Sequence, residues 1–203
     1  MMHIGLFLDR DGTINEEVDY LSSPHQVRLI PRAADAIREA KGLGFKVVVI
    51  SNQSGVARGM FTETDLKEVN SALIALLSRE QAQIDALYYC PHHPDGTVAP
   101  YNIDCDCRKP GIGMLKRAAR EFDIDLSSSY VVGDRMSDIE AGRNAHATSI
   151  LVLTGYGKEQ LNRIDGQNVS MQYVATDLYD AFQQIKRLQS QKETTLSRTG
   201  ISS

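Results

Sequence analysis

The hydrophobic pattern of the chain alternates between short apolar runs and longer amphipathic stretches. Four of the short runs predict strands: IGLFLD (residues 4–9), KVVVIS (46–51), YVVGD (130–134) and SILVLTG (149–155). These runs are apolar throughout, and polar residues do not alternate along them. They therefore predict a parallel sheet that is covered on both faces.

The stretches between these runs predict helices. Residues 31–43 begin with proline and are followed by Gly44, and residues 62–78 open with TETD. Further helices are predicted over residues 111–122, 138–145 and 178–188. Alternating strands and helices predict an α/β fold with a doubly wound, Rossmann-like parallel sheet in three layers and without an internal repeat.

Length and composition limit the domain organisation. A chain of 203 residues with 42% hydrophobic content is long enough for one well-buried domain and too short for two. We place that domain over residues 1–188. Residues 189–203 are polar and aperiodic, which predicts a disordered C-terminal tail.

Charge and hydropathy argue against several classes of protein. The net charge of −4 argues against a protein that coats nucleic acid or a membrane surface. The chain has no apolar run of the roughly 18 residues that a membrane span needs, and its N-terminus resembles neither a signal peptide nor an anchor. Three cysteines are an odd number, which favours a reducing compartment. We therefore expect a cytoplasmic monomer whose partner is neither nucleic acid nor membrane.

Polar residues stand where three of the predicted strands end. Asp9, Ser51 and Asp134 occupy these positions, and in sheets of this kind the ligand lies beyond the carboxyl ends of the strands. Asp9 and Asp11 are two residues apart, so one carboxylate could attack a substrate while the other exchanges protons. The Gly-Thr pair that follows allows a tight turn with backbone N–H groups exposed to an anion.

Other segments add groups that suit a phosphate and a metal. SNQ (residues 51–53) supplies a hydroxyl and backbone donors, and Lys109 offers a positive charge for a phosphate. GDRMSD (residues 133–138) adds two more carboxylates. Because four acids near one point would repel one another without a cation, these oxygen ligands predict Mg²⁺.

All three cysteines lie in one loop, residues 88–110, together with two of the five histidines. Cys90 and His92 are two residues apart, as are Cys105 and Cys107, and in extended backbone such pairs face the same way. Three thiolates and one imidazole make a closed tetrahedral site, which predicts a structural Zn²⁺. The alternative is three buried free thiols. His93 is expected to point away from the metal.

The zinc loop runs directly into Arg108 and Lys109. Because the loop is rich in proline, aspartate and glycine, it cannot fold by burying apolar groups. We expect the metal to fix its shape and so to hold Arg108 and Lys109 over the crevice.

The order of the motifs resembles a known family. DRDGT, SNQ, RKPG and GDRMSD occur in the order of the four motifs of haloacid-dehalogenase-type phosphohydrolases, and the resemblance covers residues 4–174. FLDRDGTIN, SNQSGVARG, YYCPHHP and CDCRKPG are similar to the subgroup of heptose-bisphosphate and histidinol-phosphate phosphatases. The spacing between motifs leaves no room for a cap domain.

The resemblance implies a role for each catalytic residue. Asp9 would be the nucleophile that forms an aspartyl-phosphate, and Asp11 would protonate the leaving oxygen and later activate water. Ser51 and Lys109 would hold the phosphoryl oxygens. Mg²⁺ would be bound by Asp9, by Asp134 and by the backbone carbonyl of Asp11. Zn²⁺ would be bound by the four residues of the loop: Cys90, His92, Cys105 and Cys107.

The resemblance also implies a set of substrate contacts. These are Glu17, Val18, Asp19, Tyr20, Ser51, Asn52, Gln53, Ser54, Arg108, Lys109 and Arg135. Arg58 could reach a second phosphate or could be a solvated arginine.

The functional interpretation that follows is a Mg²⁺-dependent phosphomonoesterase acting on a small phosphorylated sugar, in the synthesis of nucleotide-activated heptose. Two arginines, Arg58 and Arg108, are present in addition to Lys109. They favour a bisphosphate, because arginine binds phosphate through two parallel hydrogen bonds. Histidinol phosphate is the alternative substrate, and an acidic chain makes a nucleic-acid 3′-phosphatase less favoured. A zinc-containing binding module would leave the complete catalytic set unused.

Overall fold

The computed structural model describes residues 2–164 and 173–199. Its strands are β1 (His3–Leu8), β2 (Lys46–Asn52), β3 (Ala86–Cys90), β4 (Ile124–Gly133), β5 (Thr148–Val152) and β6 (Val174–Ala175). They form one parallel sheet in the order β3-β2-β1-β4-β5-β6. The predicted doubly wound parallel sheet is thus confirmed. β3 and β6 are strands that the apolar runs listed above did not include.

The helices are α1 (Ala33–Gly42), α2 (Glu63–Arg79), α3 (Gly113–Phe122), α4 (Met136–Asn144), α5 (Gly157–Ile164) and α6 (Leu178–Thr199). The five predicted helices all form, and α5 and a short 3-10 helix at Pro24–Gln26 were not predicted. α1 begins two residues after Pro31 because Arg32 has a left-handed backbone with φ 64°. None of the helices in the described residues is long and apolar enough to cross a membrane.

The C-terminal helix differs from the sequence prediction. α6 continues to Thr199, whereas residues 189–203 were predicted to be a disordered tail. The first turns of α6 are packed in the core, and Gln189 donates a 2.9 Å hydrogen bond to the hydroxyl of Tyr130. Once a helix is nucleated in this way, each added residue costs little, so polar residues can extend it. Residues 200–203 lie outside the described part of the chain.

Apolar side chains on both faces of the sheet form the core. In β1, Leu6 and Leu8 belong to a cluster with residues of α1, α2 and α6, while Phe7 belongs to a cluster with residues of α3 and α4. Successive side chains of a strand point to opposite faces, so a fully apolar strand packs against both helix layers. This explains the unbroken apolar runs in the sequence.

The sheet order places the predicted chemistry. β1 lies between β2 and β4, so the ends of these three strands are neighbours. The described connection from β1 to β2 holds only the 3-10 helix and α1, and that from β2 to β3 only α2. The carboxyl edge of the sheet is therefore open, without an inserted cap domain.

Candidate active site

A crevice of about 440 Å³ lies at the carboxyl edge of the sheet. It is lined by all eleven residues predicted to contact substrate, together with Asp9 and Asp11. Residues that were not among these predicted contacts also line it: Leu21, Gly55, Arg58, Phe61, His93, Ser137, Asp138 and Tyr156. Asp9 and Ser51, two of the three residues predicted at strand ends, thus line the crevice together with the contacts that the resemblance implied.

Lys109 is buried between two carboxylates at the base of the crevice. Its Nζ lies 2.6 Å from Oδ1 of Asp9, 2.6 Å from Oδ1 of Asp138 and 2.6 Å from the carbonyl oxygen of Ile50. Burial lowers the pKa of Lys109, but the charges of Asp138 and Asp9 outweigh it and raise the pKa. The amine therefore remains charged at the base of the crevice.

Asp9, Asp134 and Asp138 form an acidic cluster whose carboxylate oxygens lie within 4.8 Å of one another. Oδ2 of Asp134 accepts a 2.8 Å hydrogen bond from the backbone of Tyr156. Oδ1 of Asp134 is buried and has no hydrogen-bond partner among the described residues. Burial and the charge of Asp9 raise the pKa of Asp134 to about 8, and burial raises the pKa of Asp9 to about 6.

This cluster fits a hard divalent cation. An unpartnered carboxylate oxygen beside a second carboxylate is costly to bury unless a cation neutralises both. Oxygen ligands of this kind suit Mg²⁺. The backbone tightens around Asp134 at two glycines: a Cβ on Gly12 or Gly155 would stand 2.2 Å from its Oδ2, and both have positive φ, 76° and 52°. A larger residue at either position would displace this carboxylate.

The carboxylate of Asp11 is fixed by three side chains that the sequence analysis did not assign to it. Arg10 donates from Nη2 at 2.7 Å and from Nε at 3.0–3.1 Å, Asn15 donates at 2.8 Å, and Gln53 donates at 2.8 Å. Burial raises the pKa of Asp11, but the charge of Arg10 and these hydrogen bonds outweigh it and lower the pKa. Arg10 itself is buried and donates a 2.7 Å hydrogen bond to Asn70 of α2.

The side chains of the SNQ segment, residues 51–53, form hydrogen bonds to one another and to the backbone of Lys109. Oγ of Ser51 is buried and accepts a 2.7 Å hydrogen bond from Gln53. Both amide atoms of Asn52 bond to the backbone of Lys109, the oxygen at 2.9 Å and the nitrogen at 3.0 Å. Asn52 was predicted to contact substrate, and it lines the crevice, but its amide is engaged in holding Lys109.

The four predicted zinc ligands converge in one cluster. The Sγ atoms of Cys90, Cys105 and Cys107 lie 3.2–3.4 Å apart. Nδ1 of His92 lies 3.4 Å from Cys107 and 3.7 Å from Cys90. Around a tetrahedral Zn²⁺ at the usual Zn–S and Zn–N distances, two sulfurs stand roughly 3.8 Å apart and a sulfur and a nitrogen roughly 3.5 Å apart. The S···N distances match these values, and the three sulfurs lie somewhat closer together than around a bound ion. Burial raises the pKa of Cys90 and of Cys107, so gathering these thiols as thiolates requires a cation.

His93 lies outside this cluster, as the spacing predicted. Its Nε2 is 3.0 Å from Nη2 of Arg58, and both side chains line the crevice. His93 is thus a crevice residue that the sequence analysis set aside.

The zinc loop is anchored on both sides. Glu63, the first residue of α2, accepts hydrogen bonds from Tyr89 at 2.7 Å and from Tyr101 of the loop at 2.8 Å. Arg108 donates a 3.3 Å hydrogen bond to the carbonyl of His92. The position of Arg108 is therefore linked to the backbone of the cysteine–histidine cluster.

Residues 17–20 form another part of the crevice lining. The hydroxyl of Tyr156 donates a 2.5 Å hydrogen bond to Asp19, and the guanidinium of Arg135 lies 3.9 Å over the Tyr156 ring. Nη2 of Arg135 is 3.7 Å from Glu17. Burial and the charge of Asp11 raise the pKa of Glu17 to about 7. Tyr156 was not among the residues predicted to contact substrate. It directly follows the apolar run 149–155, and that position places it at the carboxyl edge of the sheet.

Comparison with known proteins gives consistent matches. The HAD-hydrolase-like family model matches residues 106–181. The D-glycero-beta-D-manno-heptose-1,7-bisphosphate 7-phosphatase of Yersinia pestis is 44% identical over 151 residues, which are 74% of this chain and 80% of the relative. The corresponding enzyme of Chlorobaculum tepidum is 41% identical over 182 residues, which are 87% of this chain and 90% of the relative.

Solved structures give the same picture. The crystal structure of D,D-heptose 1,7-bisphosphate phosphatase from B. bronchiseptica, complexed with magnesium and phosphate, superposes with a TM-score of 0.80. It is 33% identical in sequence and the match covers 91% of this chain and 99% of that one. A HAD-like phosphatase structure from Mesorhizobium loti gives a TM-score of 0.77 at 35% identity, covering 92% and 88%.

Proposed function

The chain belongs to the heptose-bisphosphate phosphatase family of HAD-like hydrolases, and on this basis we propose that it removes the C7 phosphate of D-glycero-D-manno-heptose 1,7-bisphosphate. The reaction would use Mg²⁺ and an aspartyl-phosphate on Asp9. The catalytic domain would extend over residues 1–188.

The observation that carries this proposal is the placement of Asp9. Its carboxylate lines the crevice at the end of β1, paired with Lys109 at 2.6 Å and next to the buried Asp134. A carboxylate that is partly desolvated beside a fixed cation can act as a nucleophile on phosphorus. Bound Mg²⁺ would neutralise the phosphoryl oxygens and the carboxylates of Asp9 and Asp134.

In the first step, an oxygen of Asp9 would form a bond to phosphorus as the bond to the sugar oxygen breaks. Lys109 and the hydroxyl of Ser51 would hold the phosphoryl oxygens where negative charge develops. In the second step, water would attack the same phosphorus and free the carboxylate of Asp9. The net result is one phosphate and one alcohol per water consumed.

Asp11 would move the protons of both steps. In the substrate-free protein its carboxylate accepts hydrogen bonds from Arg10, Asn15 and Gln53 and is ionised. A bound phosphate adds negative charge beside it, which favours the protonated form. The carboxyl would then donate its proton to the leaving sugar oxygen and recover a proton from the attacking water.

The crevice would recognise a sugar bisphosphate. A cavity of about 440 Å³ has room for a seven-carbon sugar, and it has no inserted cap domain over it in the described residues. Arg58 and Arg108 add positive charge to the lining beyond that of Lys109, and they contact His93 and the carbonyl of His92. A second phosphate gives these arginines a ligand, whereas a monophosphate leaves them unpaired.

The metal cluster would have a supporting role. Four protein ligands would fill the coordination of Zn²⁺ and leave no position for substrate, so this metal would be structural. Its effect on catalysis would pass through Arg108 and Lys109.

Asp9→Asn tests the proposed nucleophile. The amide keeps the shape of the side chain but is a poor nucleophile, so Mg²⁺-dependent phosphate release from 4-nitrophenyl phosphate should fall by about 1,000-fold or more. Circular dichroism should stay unchanged, and Asp35→Asn on α1, whose side chain is 39% exposed and does not line the crevice, serves as the control with wild-type activity. Substantial turnover by a clean Asp9→Asn preparation would assign the nucleophile to another residue.

A further inference from the structure

Tyr156 stands between two cavities at the rim of the protein. The catalytic crevice of about 440 Å³ lies on one side, and a second cavity of about 510 Å³ lies on the other. Glu17, Asp19 and Tyr156 line both of them. The two spaces are therefore separated by side chains of the rim.

The backbone of Tyr156 is fixed from below. Its N–H donates to Asp134 at 2.8 Å, and the preceding Gly155 adopts a positive φ of 52° that brings the chain close to Gly12. These contacts involve only main-chain atoms of residue 156. A substitution that shortens the side chain at this position leaves them in place.

The side chain of Tyr156 closes the gap to the rim segment. Its hydroxyl donates 2.5 Å to Asp19, whose own side chain is exposed, and its ring supports the guanidinium of Arg135 at 3.9 Å. The Tyr156 ring and the Asp19 carboxylate are thus two of the three side chains that line both cavities, the third being that of Glu17.

The second cavity has a chemistry of its own. Ile30, Pro31 and Gly155 supply apolar and backbone surface, whereas Glu16, Glu17 and Asp19 contribute carboxylates. Such a space accepts a neutral, hydroxyl-bearing group, whose hydroxyls can donate to the carboxylates. It repels a further anion.

We propose that the ring of Tyr156 determines specificity by limiting how far the sugar of the substrate extends toward the adjoining cavity. The proposal rests on the phosphatase function proposed above. With the ring in place, the crevice accepts the phosphate ester of one sugar unit. With the ring removed, a neutral second sugar unit can extend into the adjoining cavity.

The test compares kcat/KM for glucose 6-phosphate and for trehalose 6-phosphate, a neutral disaccharide carrying the same primary phosphate. In Tyr156→Ala the ratio of the disaccharide to the monosaccharide should rise about tenfold or more over the wild type, since steric exclusion in a shaped pocket is worth roughly 10–200-fold. Tyr156→Phe keeps the ring and should stay within about threefold of the wild-type ratio. A ratio in Tyr156→Ala that stays within threefold of the wild type would overturn the proposal.

The chain offers a matched control at Tyr179. That residue also donates to a carboxylate, Glu39 at 3.1 Å, and also lies under an arginine, Arg32 at 3.3 Å, but it packs against the core from α6. Tyr179→Ala should leave the ratio unchanged. An equal rise in both variants would assign the effect to general loosening and overturn the proposal.

The same assays separate this proposal from the function on which it rests. Wild-type protein that releases no phosphate from 4-nitrophenyl phosphate would remove the proposed function, and the size limit with it. Wild-type activity combined with an unchanged ratio in Tyr156→Ala would remove only the size limit.

Discussion

Nζ of Lys109 lies 2.6 Å from Oδ1 of Asp9, although the two residues are 100 positions apart in the chain. The same amine contacts Asp138 at 2.6 Å, and the side chains of all three residues are at most 9% exposed. Buried charges persist only when they are paired and hydrogen-bonded. This group therefore connects the stability of the fold to the chemistry of the crevice.

Lys109→Met should destabilise the fold as well as abolish catalysis. Removing the cation leaves two buried carboxylates unpaired, and the free energy of unfolding at pH 7 should fall by about 3–5 kcal/mol. The loss should be smaller at pH 5, because the pKa of Asp9 is raised to about 6 and its carboxylate takes up a proton there. Urea unfolding at both pH values measures the effect.

Lys186→Met is the matched control for this substitution. Its amine pairs with Glu39 at 2.7 Å, but both side chains are 35% exposed. The expected change is below about 1 kcal/mol. Equal effects of the two substitutions would contradict the view that burial makes the Lys109 group important.

Elemental analysis of protein purified without chelator should show one Zn²⁺ per chain. The adjacent histidines His92 and His93 should differ in their effect on zinc binding. His92→Ala should lose the metal and reduce kcat/KM, because the loop no longer holds Arg108 and Lys109. His93→Ala removes an imidazole that lies outside the cluster and should keep the zinc. Zinc-free wild-type protein, or loss of zinc in both variants, would contradict the assigned ligands.

Arg10→Lys should impair proton transfer by Asp11 more than phosphoryl transfer itself. A lysine cannot reproduce the contacts that Arg10 makes with both oxygens of Asp11 and with Asn70. An alkyl phosphate needs a proton on its leaving oxygen, whereas 4-nitrophenolate leaves without one. We expect about a 100-fold loss of kcat/KM, which reports the first step, for the alkyl ester and less than about tenfold for the aryl ester.

Asn70→Ala should show the same pattern in weaker form, because it removes one support of Arg10 and leaves its contacts with Asp11. Equal losses on both esters in Arg10→Lys would indicate a purely structural role for the arginine.

The residues at the strand ends could be predicted from the sequence because parallel strands align their carboxyl ends at one edge. The zinc ligands could be predicted because residues two apart in extended backbone share a side. Asn70 could not, since it reaches Arg10 from a helix face 60 residues away. The engagement of Asn52 with Lys109 depends on how two loops meet. The length of α6 depends on the packing of its first turns, which its polar end does not reveal.

The raised pKa of Glu17 makes stability depend on pH. Burial and the charge of Asp11 raise this pKa from 4.5 to about 7, so the folded protein holds the proton more tightly than the unfolded chain. The resulting stabilisation is fully present below pH 4.5 and is lost as the pH rises through 7. In magnesium-free buffer, Glu17→Gln should therefore have a higher Tm than the wild type at pH 8 and no advantage at pH 4.5. An advantage that is the same at both pH values would exclude titration of Glu17 as the cause.

The most direct test of the proposed function is phosphorus NMR of D-glycero-D-manno-heptose 1,7-bisphosphate during incubation with the wild-type protein and Mg²⁺. We expect the C7 phosphate signal to be replaced by inorganic phosphate while the C1 phosphate stays on the sugar. The value of kcat/KM for this substrate should exceed that for histidinol phosphate, because only the bisphosphate occupies Arg58 and Arg108. Loss of the C1 phosphate, a preference for histidinol phosphate, or an absence of Mg²⁺-dependent release would contradict the account.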